Sequence, residues 1–417
     1  MRADTVIYNI KELVTPHRSL AHRGEEMSQV EVIKDAWIAI RNGKIIDYGK
    51  GNHSKYISEN TYLHDAENCL VIPGLIDSHT HLVHGGSREN EFKKKLKGIP
   101  YLTILKQGGG ILSTVEATRK ATTEELFNKA KKSLDEMLLL GVTTIEAKSG
   151  YGLNYETELK QLEVAKKLNE IHPIDINSTY LGAHAMPTEF KDNRKEYIDS
   201  LIHDMALIRN NDLAESVDVF CDENVFTLEE TRKILTEAKK LGFFLRVHAD
   251  ELESNGAAGL AAELNASSAD HLIAVSEEDI KKLAKSKTVA NLLPTTSFYL
   301  NKDYANARKM IDEGCIVSIS SDYNPGSSPS ENYQFSLQVA ANKLRMKPKE
   351  VLIAATINPA YGLGRKEIIG SISKGKNADI VIMDAPNLDY IMYHFGINHT
   401  KDVFKNGKLV VKDRQII

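Results

Sequence analysis

Gly74-Leu75-Ile76-Asp77-Ser78-His79-Thr80-His81 begins apolar and ends on two histidines one residue apart. On a β-strand positions i and i+2 face the same way, so His79 and His81 share one side of whatever sheet this run joins. Seven further short, apolar, β-rich runs follow: Val142 to Lys148, Asp175 to His184, Ser216 to Cys221, Phe243 to His248, Ala269 to Leu272, Thr288 to Pro294 and Ile316 to Asp322. Between them lie stretches of helical periodicity, the pattern of a parallel sheet covered by helices. Eight such runs in the 250 residues from Pro73 to Asp322 match the size of a (β/α)8 TIM barrel.

The intervening helices carry boundary signals. Thr227 with Glu230, and Thr122 with Glu125, predict capping boxes, while Gly242 and Gly141 sit where a left-handed residue would end each helix. Ile234, Leu235, Ala238 and Leu241 form one apolar stripe to lay against the sheet. Lys106 to Gly110 reads as an irregular loop; its glycines lack the Gly-Lys-Ser/Thr that a phosphate loop requires. Outside the barrel, Val6 to Ile10, Ala36 to Ile46 with a turn at Asn42-Gly43, Ala378 to Met383, and Val403 to Val411 with Asn406-Gly407 predict strands and hairpins. The α/β chain is therefore expected to divide into a barrel at 73–364 and a small β-sandwich-like domain built from both ends, 1–72 and 365–417. A helix from Pro348 to Ala355 would precede the return to that second domain.

Composition narrows the function. Charged residues are 26% and hydrophobic ones 42% of 417, as in a packed globular protein rather than a disordered or collagen-like one. A net charge of −4 gives no sequence-independent grip on nucleic acid or an anionic membrane, so a charged partner should be small. No run reaches the roughly 18 apolar residues of a membrane span, and Met1 to Ile10 does not read as a signal peptide. Cys69, Cys221 and Cys315 are few and unpaired in spacing, which suggests reduced thiols in a cytoplasmic protein.

Active sites of this fold lie at the C-terminal ends of the strands. His79 and His81 alone fit a hydrogen-bonded core pair as well as they fit a metal. His248 at the end of strand five, His271 on strand six and Asp322 at the end of strand eight shift the balance, because each is expensive to bury without a partner. Imidazoles with a carboxylate suit Zn²⁺ or Fe²⁺ better than Mg²⁺ or Ca²⁺. The expected ligands of one divalent metal ion are His79, His81, His248 and Asp322. Strand four ends in Cys221-Asp222-Glu223, with no lysine to bridge a second ion; Lys148, which ends strand two, reads as a charged residue at the mouth.

Glu251, three residues past His248, is positioned to take a proton from water and return it to a leaving nitrogen. His271 is a candidate for orienting the water or an oxyanion. Residue types alone leave open whether Glu251, His271 or Asp322 accepts the first proton. Arg88, just beyond strand one, fits a bidentate clamp on a substrate carboxylate. Tyr151, His184 and the Asn324 to Ser327 run lie at or just past strand ends and could line the mouth. His84, His172, His203, His394 and His399 match no strand end and are read as surface or structural.

With its lead-in Ile72-Pro73-Gly74-Leu75-Ile76-Asp77 and its split β-domain, this constellation resembles the amidohydrolase superfamily. The resemblance covers nearly the whole chain. Gly85-Gly86-Ser87-Arg88-Glu89, Gly108 to Thr114, Lys148 to Leu153, Leu181 to Ala185, His248 to Glu251, Ser268 to Leu272 and Asp322 to Ser327 are similar to the branch that acts in histidine degradation. Ser78 and His84 depart from that branch, standing where a proline and an aromatic are expected. The resemblance implies hydrolysis of 4-imidazolone-5-propanoate to N-formimidoyl-L-glutamate. It further implies that Arg88, Tyr151, His184 and Glu251 hold substrate, with Asn324, Gly326 and Ser327 near its carboxylate or ring. A metal-dependent deaminase of a nucleobase-like heterocycle is the nearest alternative, separable by ammonia release. A non-catalytic scaffold would lack the metal ligands that this chain retains. A homodimer is compatible with a barrel enzyme.

Overall fold

In the computed structural model, which describes residues 2–17, 20–99 and 109–417, the eight runs become parallel strands hydrogen-bonded in chain order. They are Leu75–Thr80, Val142–Lys148, Asp175–Ala183, Ser216–Cys221, Phe244–Ala249, Ser268–His271, Val289–Leu292 and Ile316–Ile319. Their residues are almost all buried, because one face fills the barrel interior while the other meets helices. The first and last strands meet above their ends. Thr80 bridges Tyr323, the Asp322 N–H donates to the His79 carbonyl at 3.1 Å, and the His81 N–H donates to the Tyr323 carbonyl at 2.8 Å.

Two strands are shorter by three residues each than the runs suggested. Thr288 to Pro294 yields a strand ending at Leu292, since Pro294 has no N–H to give a ladder and instead opens the helix Pro294–Leu300. Ile316 to Asp322 yields a strand ending at Ile319, and Asp322 adopts φ 54° in the turn beyond it. Both predicted capping boxes form, and Gly141 and Gly242 take φ 85° and 80°. The predicted helix is Pro348–Ala354; a further short one, Ile357–Gly362, follows it. The helix Tyr333–Lys343 has too little apolar contrast between its faces to stand out in sequence. Residues 106–108 of the expected glycine-rich loop lie outside the described residues.

The chain ends build a second sheet of nine strands. Five come from the N-terminal side, Thr5–Pro16, Val30–Arg41, Lys44–Lys50, Tyr62–Asp65 and Leu70–Pro73, and four from the C-terminal side, Ile380–Met383, Thr400–Lys405, Lys408–Lys412 and Gln415–Ile416. Leu70–Pro73 pairs antiparallel with Ile380–Met383 and joins the two groups. The first strand is longer than Val6 to Ile10 because a register shift between Ile7 and Ile10, with Asn9 at φ 54°, bends it without ending its pairing. Asn42-Gly43 and Asn406-Gly407 form the tight turns expected, all four residues having positive φ. Ile7, Leu13, Ile38, Val71, Ile380 and Phe404 belong to this sheet's own apolar cluster.

Only Gly74 separates Leu70–Pro73 from the first barrel strand, and a Cβ there would collide with the Thr143 side chain. Tyr333, fully buried, sets its hydroxyl 2.6 Å from the Ile319 carbonyl and 3.0 Å from the Ile76 carbonyl, spanning strands eight and one. Tyr333→Phe should lower unfolding stability by about 1–3 kcal/mol, since it leaves buried carbonyls short of a donor. A urea midpoint equal to that of the parent chain would show that the hydroxyl does not hold the seam.

Candidate active site

Strand alternation turns Asp77, His79 and His81 inward together, and the joining of strands one and eight brings Asp322 to them. Asp322 Oδ1 lies 3.4 Å from His79 Nε2 and 3.6 Å from His81 Nε2. Strand five adds His248, whose ring centre is 4.7 Å from that of His79 and 5.7 Å from that of His81. Strand six adds His271, 5.1 Å from His248 and 5.5 Å from His79 by ring centres. Donor atoms of His79, His81 and His248, and likewise of His79, His271 and Asp322, lie within 4.8 Å of one another, close enough to share one cation.

The four expected ligands are therefore together, and their environment suits a metal. His79 Nε2, His81 Nδ1 and both ring nitrogens of His248 and His271 are buried with no hydrogen-bond partner. A buried imidazole nitrogen left bare is costly unless something else occupies its lone pair, and a divalent cation does so. Burial, reinforced by the neighbouring positive charges, holds His79, His81 and His271 well below the usual imidazole pKa, so each is neutral and able to ligate. Burial pushes His248 down too, but the Asp218 carboxylate outweighs it and raises the pKa.

Carboxylates lie behind two of the histidines, one as a hydrogen bond and one as an ion-pair contact. His79 Nδ1 donates to Asp270 Oδ2 at 2.7 Å, and His248 Nδ1 lies 3.0 Å from Asp218 Oδ2. Each contact leaves Nε2 for the centre, the usual arrangement behind a metal-binding histidine. Thr296 Oγ1 donates to Asp322 Oδ2 at 2.6 Å and leaves Oδ1 toward the histidines. Burial raises the Asp322 pKa to about 6.

Glu251 stands beside this group, with its Oε2 3.4 Å from His271 Nε2. Desolvation first, then the Asp322 charge, raises its carboxyl to about 7. Asp250, at φ 49°, accepts from the N–H groups of Asn255, Gly256 and Ala258 and so ties down the loop that carries Glu251. His184 stacks on His81 with ring centres 4.9 Å apart, and burial takes its pKa down to about 3. Tyr151 packs 5.5 Å from His81 and 5.3 Å from His184. Arg88 sits over Gly326 so closely that a Cβ there would meet Nη1 of its guanidinium. Glu91 accepts from Arg88 Nε and Nη2 at 3.1 and 2.8 Å, and from the Gly110 N–H at 2.9 Å.

The structure also shows how the remaining residues are held. Asn324 spends its amide inside its own loop: Nδ2 donates to the Asp322 carbonyl, and Oδ1 accepts from the N–H groups of Gly326 and Ser327. Ser327 Oγ also pairs with Asn324, so these two shape the loop around Arg88. Lys148 is not at the mouth. It is wholly buried inside the barrel, 2.7 Å from Asp218 Oδ2 and 2.8 Å from Glu146 Oε1, because it faces inward with Glu146 two residues before it. His84 is buried, its Nδ1 3.0 Å from the His81 carbonyl and its ring against Tyr151 and Tyr323. Sequence reasoning missed Asp218, Asp270, Thr296 and Glu158. The signal for the first two was polar residues recurring at inward strand positions.

Comparison with known proteins gives the family. The sequence profile of the Amidohydrolase family matches residues 70–410. The imidazolonepropionase of Fusobacterium nucleatum is 52% identical over 414 residues, covering 99% of this chain and all of the relative. That of Alkaliphilus metalliredigens is 52% identical over 422 residues, covering both chains completely. Among solved structures, an adenosine deaminase from Xanthomonas campestris with bound zinc superposes with a TM-score of 0.75 at 19% identity, covering 100% of this chain and 94% of that one. Escherichia coli guanine deaminase gives 0.71 at 17%, covering 98% and 99%. At such identities these two show the fold alone. Among the described residues, no helix is long and apolar enough to cross a membrane.

Proposed function

The chain belongs to the amidohydrolase family and, within it, to the imidazolonepropionase group of hydrolases, and we propose that its site opens the ring of 4-imidazolone-5-propanoate by water to give N-formimidoyl-L-glutamate. The full-length likeness to that group carries this reading, and the side chains at the barrel mouth support it. His79, His81, His248 and Asp322 would hold one divalent ion, zinc or iron by the chemistry of the donors. When bound, such an ion supplies Lewis acidity and lowers the pKa of water toward about 7.

The protein's own groups divide the remaining work. Arg88, held by Glu91, supplies the charge that a propanoate tail needs, and Gly326 leaves room for the guanidinium. Tyr151 and His184, packed on His81, form a ring-sized wall. Glu251, with a carboxyl near 7, is matched to taking a proton from the attacking water and passing it to the ring nitrogen. A C–O bond forms at the ring carbonyl carbon, the C–N bond breaks, and the nitrogen leaves protonated. His271, neutral and 3.4 Å from Glu251, is placed to donate to the oxyanion.

Incubating the protein with imidazolone propanoate and following its ultraviolet absorbance tests the reaction; loss of the ring chromophore without ammonia release is expected, and ammonia release would favour deamination. Glu251→Gln should keep bound metal while turnover falls by on the order of 10² or more. Since Glu251 must start deprotonated and burial raises its pKa to about 7, kcat/KM should decline as pH falls through that value. A pH profile flat from 8 to about 6 would remove Glu251 from the role. Arg88→Ala should raise KM roughly ten- to a hundredfold, matching charged hydrogen bonds worth about 1.5–3 kcal/mol. Gly326→Ala should do likewise by displacing the same guanidinium, and unchanged KM values would mean that the tail binds elsewhere. Metal analysis should return one ion per chain, and two at full activity would contradict this ligand assignment.

A further inference from the structure

Beneath the histidines lies a charged cluster that the proposed chemistry does not use. Glu146, Lys148, Asp218, Arg246 and Asp270, on strands two, four, five and six, are all buried inside the barrel. Lys148 Nζ is 2.7 Å from Asp218 Oδ2, 2.8 Å from Glu146 Oε1 and 3.7 Å from Asp270 Oδ2. Arg246 is anchored elsewhere, by Ser268 Oγ at 2.9 Å and the Gly362 carbonyl at 3.1 Å, and reaches Glu146 only at 3.5 Å. Lys148 is thus the cation that touches both carboxylates lying against ligand histidines. Asp218 Oδ2 meets Lys148 and His248 Nδ1 with the same oxygen, and Asp270 Oδ2 does so for Lys148 and His79 Nδ1.

We propose that Lys148 is a positioning residue that holds Asp218 and Asp270 against Nδ1 of His248 and His79, and so directs both Nε2 atoms into the metal centre. This rests on the metal centre of the proposed function and deepens it. Without an ammonium between them, two carboxylates from strands four and six would repel each other in the buried interior. They would then turn from the imidazoles. Burying a lysine costs stability that an apolar side chain of like volume would avoid, so its place between two histidine-orienting acids calls for a further reason, and the metal centre supplies one.

Zinc affinity of the full-length protein, measured by competition with a chelator, reads the effect. Lys148→Met should weaken zinc binding 10- to 100-fold, the usual consequence of disturbing groups behind a metal ligand, while KM at saturating zinc stays within about twofold. A purely structural Lys148 would lower the melting temperature and leave zinc affinity within threefold of the parent, and that result overturns the proposal. If Lys148→Met does not fold, Lys148→Arg, which keeps the charge but displaces it, is read by the same affinity criterion. The ¹⁵N spectrum of histidine-labelled, zinc-loaded parent protein needs no variant: protons are expected on Nδ1 of His79 and His248, and a proton on Nε2 of either overturns the assignment. A parent chain that takes up no zinc overturns the metal centre itself, whereas a parent that binds zinc no better than Lys148→Met overturns only the role of Lys148.

Discussion

Everything at the mouth depends on the seam where the first strand meets the last. The backbone hydrogen bonds that join them involve the site residues themselves: the Asp322 N–H is on the His79 carbonyl and the His81 N–H is on that of Tyr323. A carboxylate some 240 positions away in sequence is thereby set within 3.6 Å of two imidazoles. Asp77 strengthens the same seam from below, accepting from both the backbone N–H and the hydroxyl of Ser321. The placing of these side chains is therefore a property of barrel closure, and a barrel that failed to close would lose the site before it lost its strands.

Closure also sets the electrostatics. Burial penalises the charged form of each group, which drives His79, His81 and His271 toward neutrality and lifts Glu251 and Asp322 into the range where they exchange protons near neutral pH. Strain accompanies it. Asp250, His271, Leu272 and Asp322 all adopt positive φ, between 49° and 75°, a conformation that non-glycine residues hold at a cost of order 1–3 kcal/mol each. These residues flank strands five, six and eight at one rim. Packing below them is what keeps them there.

How much of this was legible follows from the range of each signal. Strand alternation is local, so His79 with His81, and the β-rich runs that form the eight strands, could be read directly. Hairpins at Asn42-Gly43 and Asn406-Gly407 and the caps at Thr122 and Thr227 were legible for the same reason, because each is decided within four residues. Strand ends were less so: Asp322 lies in a turn three residues past its strand, and its arrival at the histidines is decided by pairing with strand one. Lys148 shows the opposite failure. Its place two residues after Glu146 already implied an inward-facing pair, but charge suggested the mouth, and only partners from strands four and six make an interior position tolerable.

Three of the loops at the rim share one construction, which suits a fold common to deaminases to a different substrate. Each puts a buried carboxylate behind the residue that would meet the ligand. Glu158 accepts from the N–H groups of Gly150, Gly152 and Leu153 and so clamps both sides of Tyr151. Asp250 does the same for the loop after Glu251, and Glu91 joins Arg88 to the Gly110 backbone. Backbone N–H groups are available in any loop whatever its sequence, so an acid at one position can organise a segment whose other residues vary. Rigid placement matters here because a displacement of about 1 Å in a positioning group can cost on the order of 10² in rate. On the proposed reading, specificity is set less by the histidines at the centre, which ring opening and deamination could both use, than by which side chains these buried acids hold at the rim.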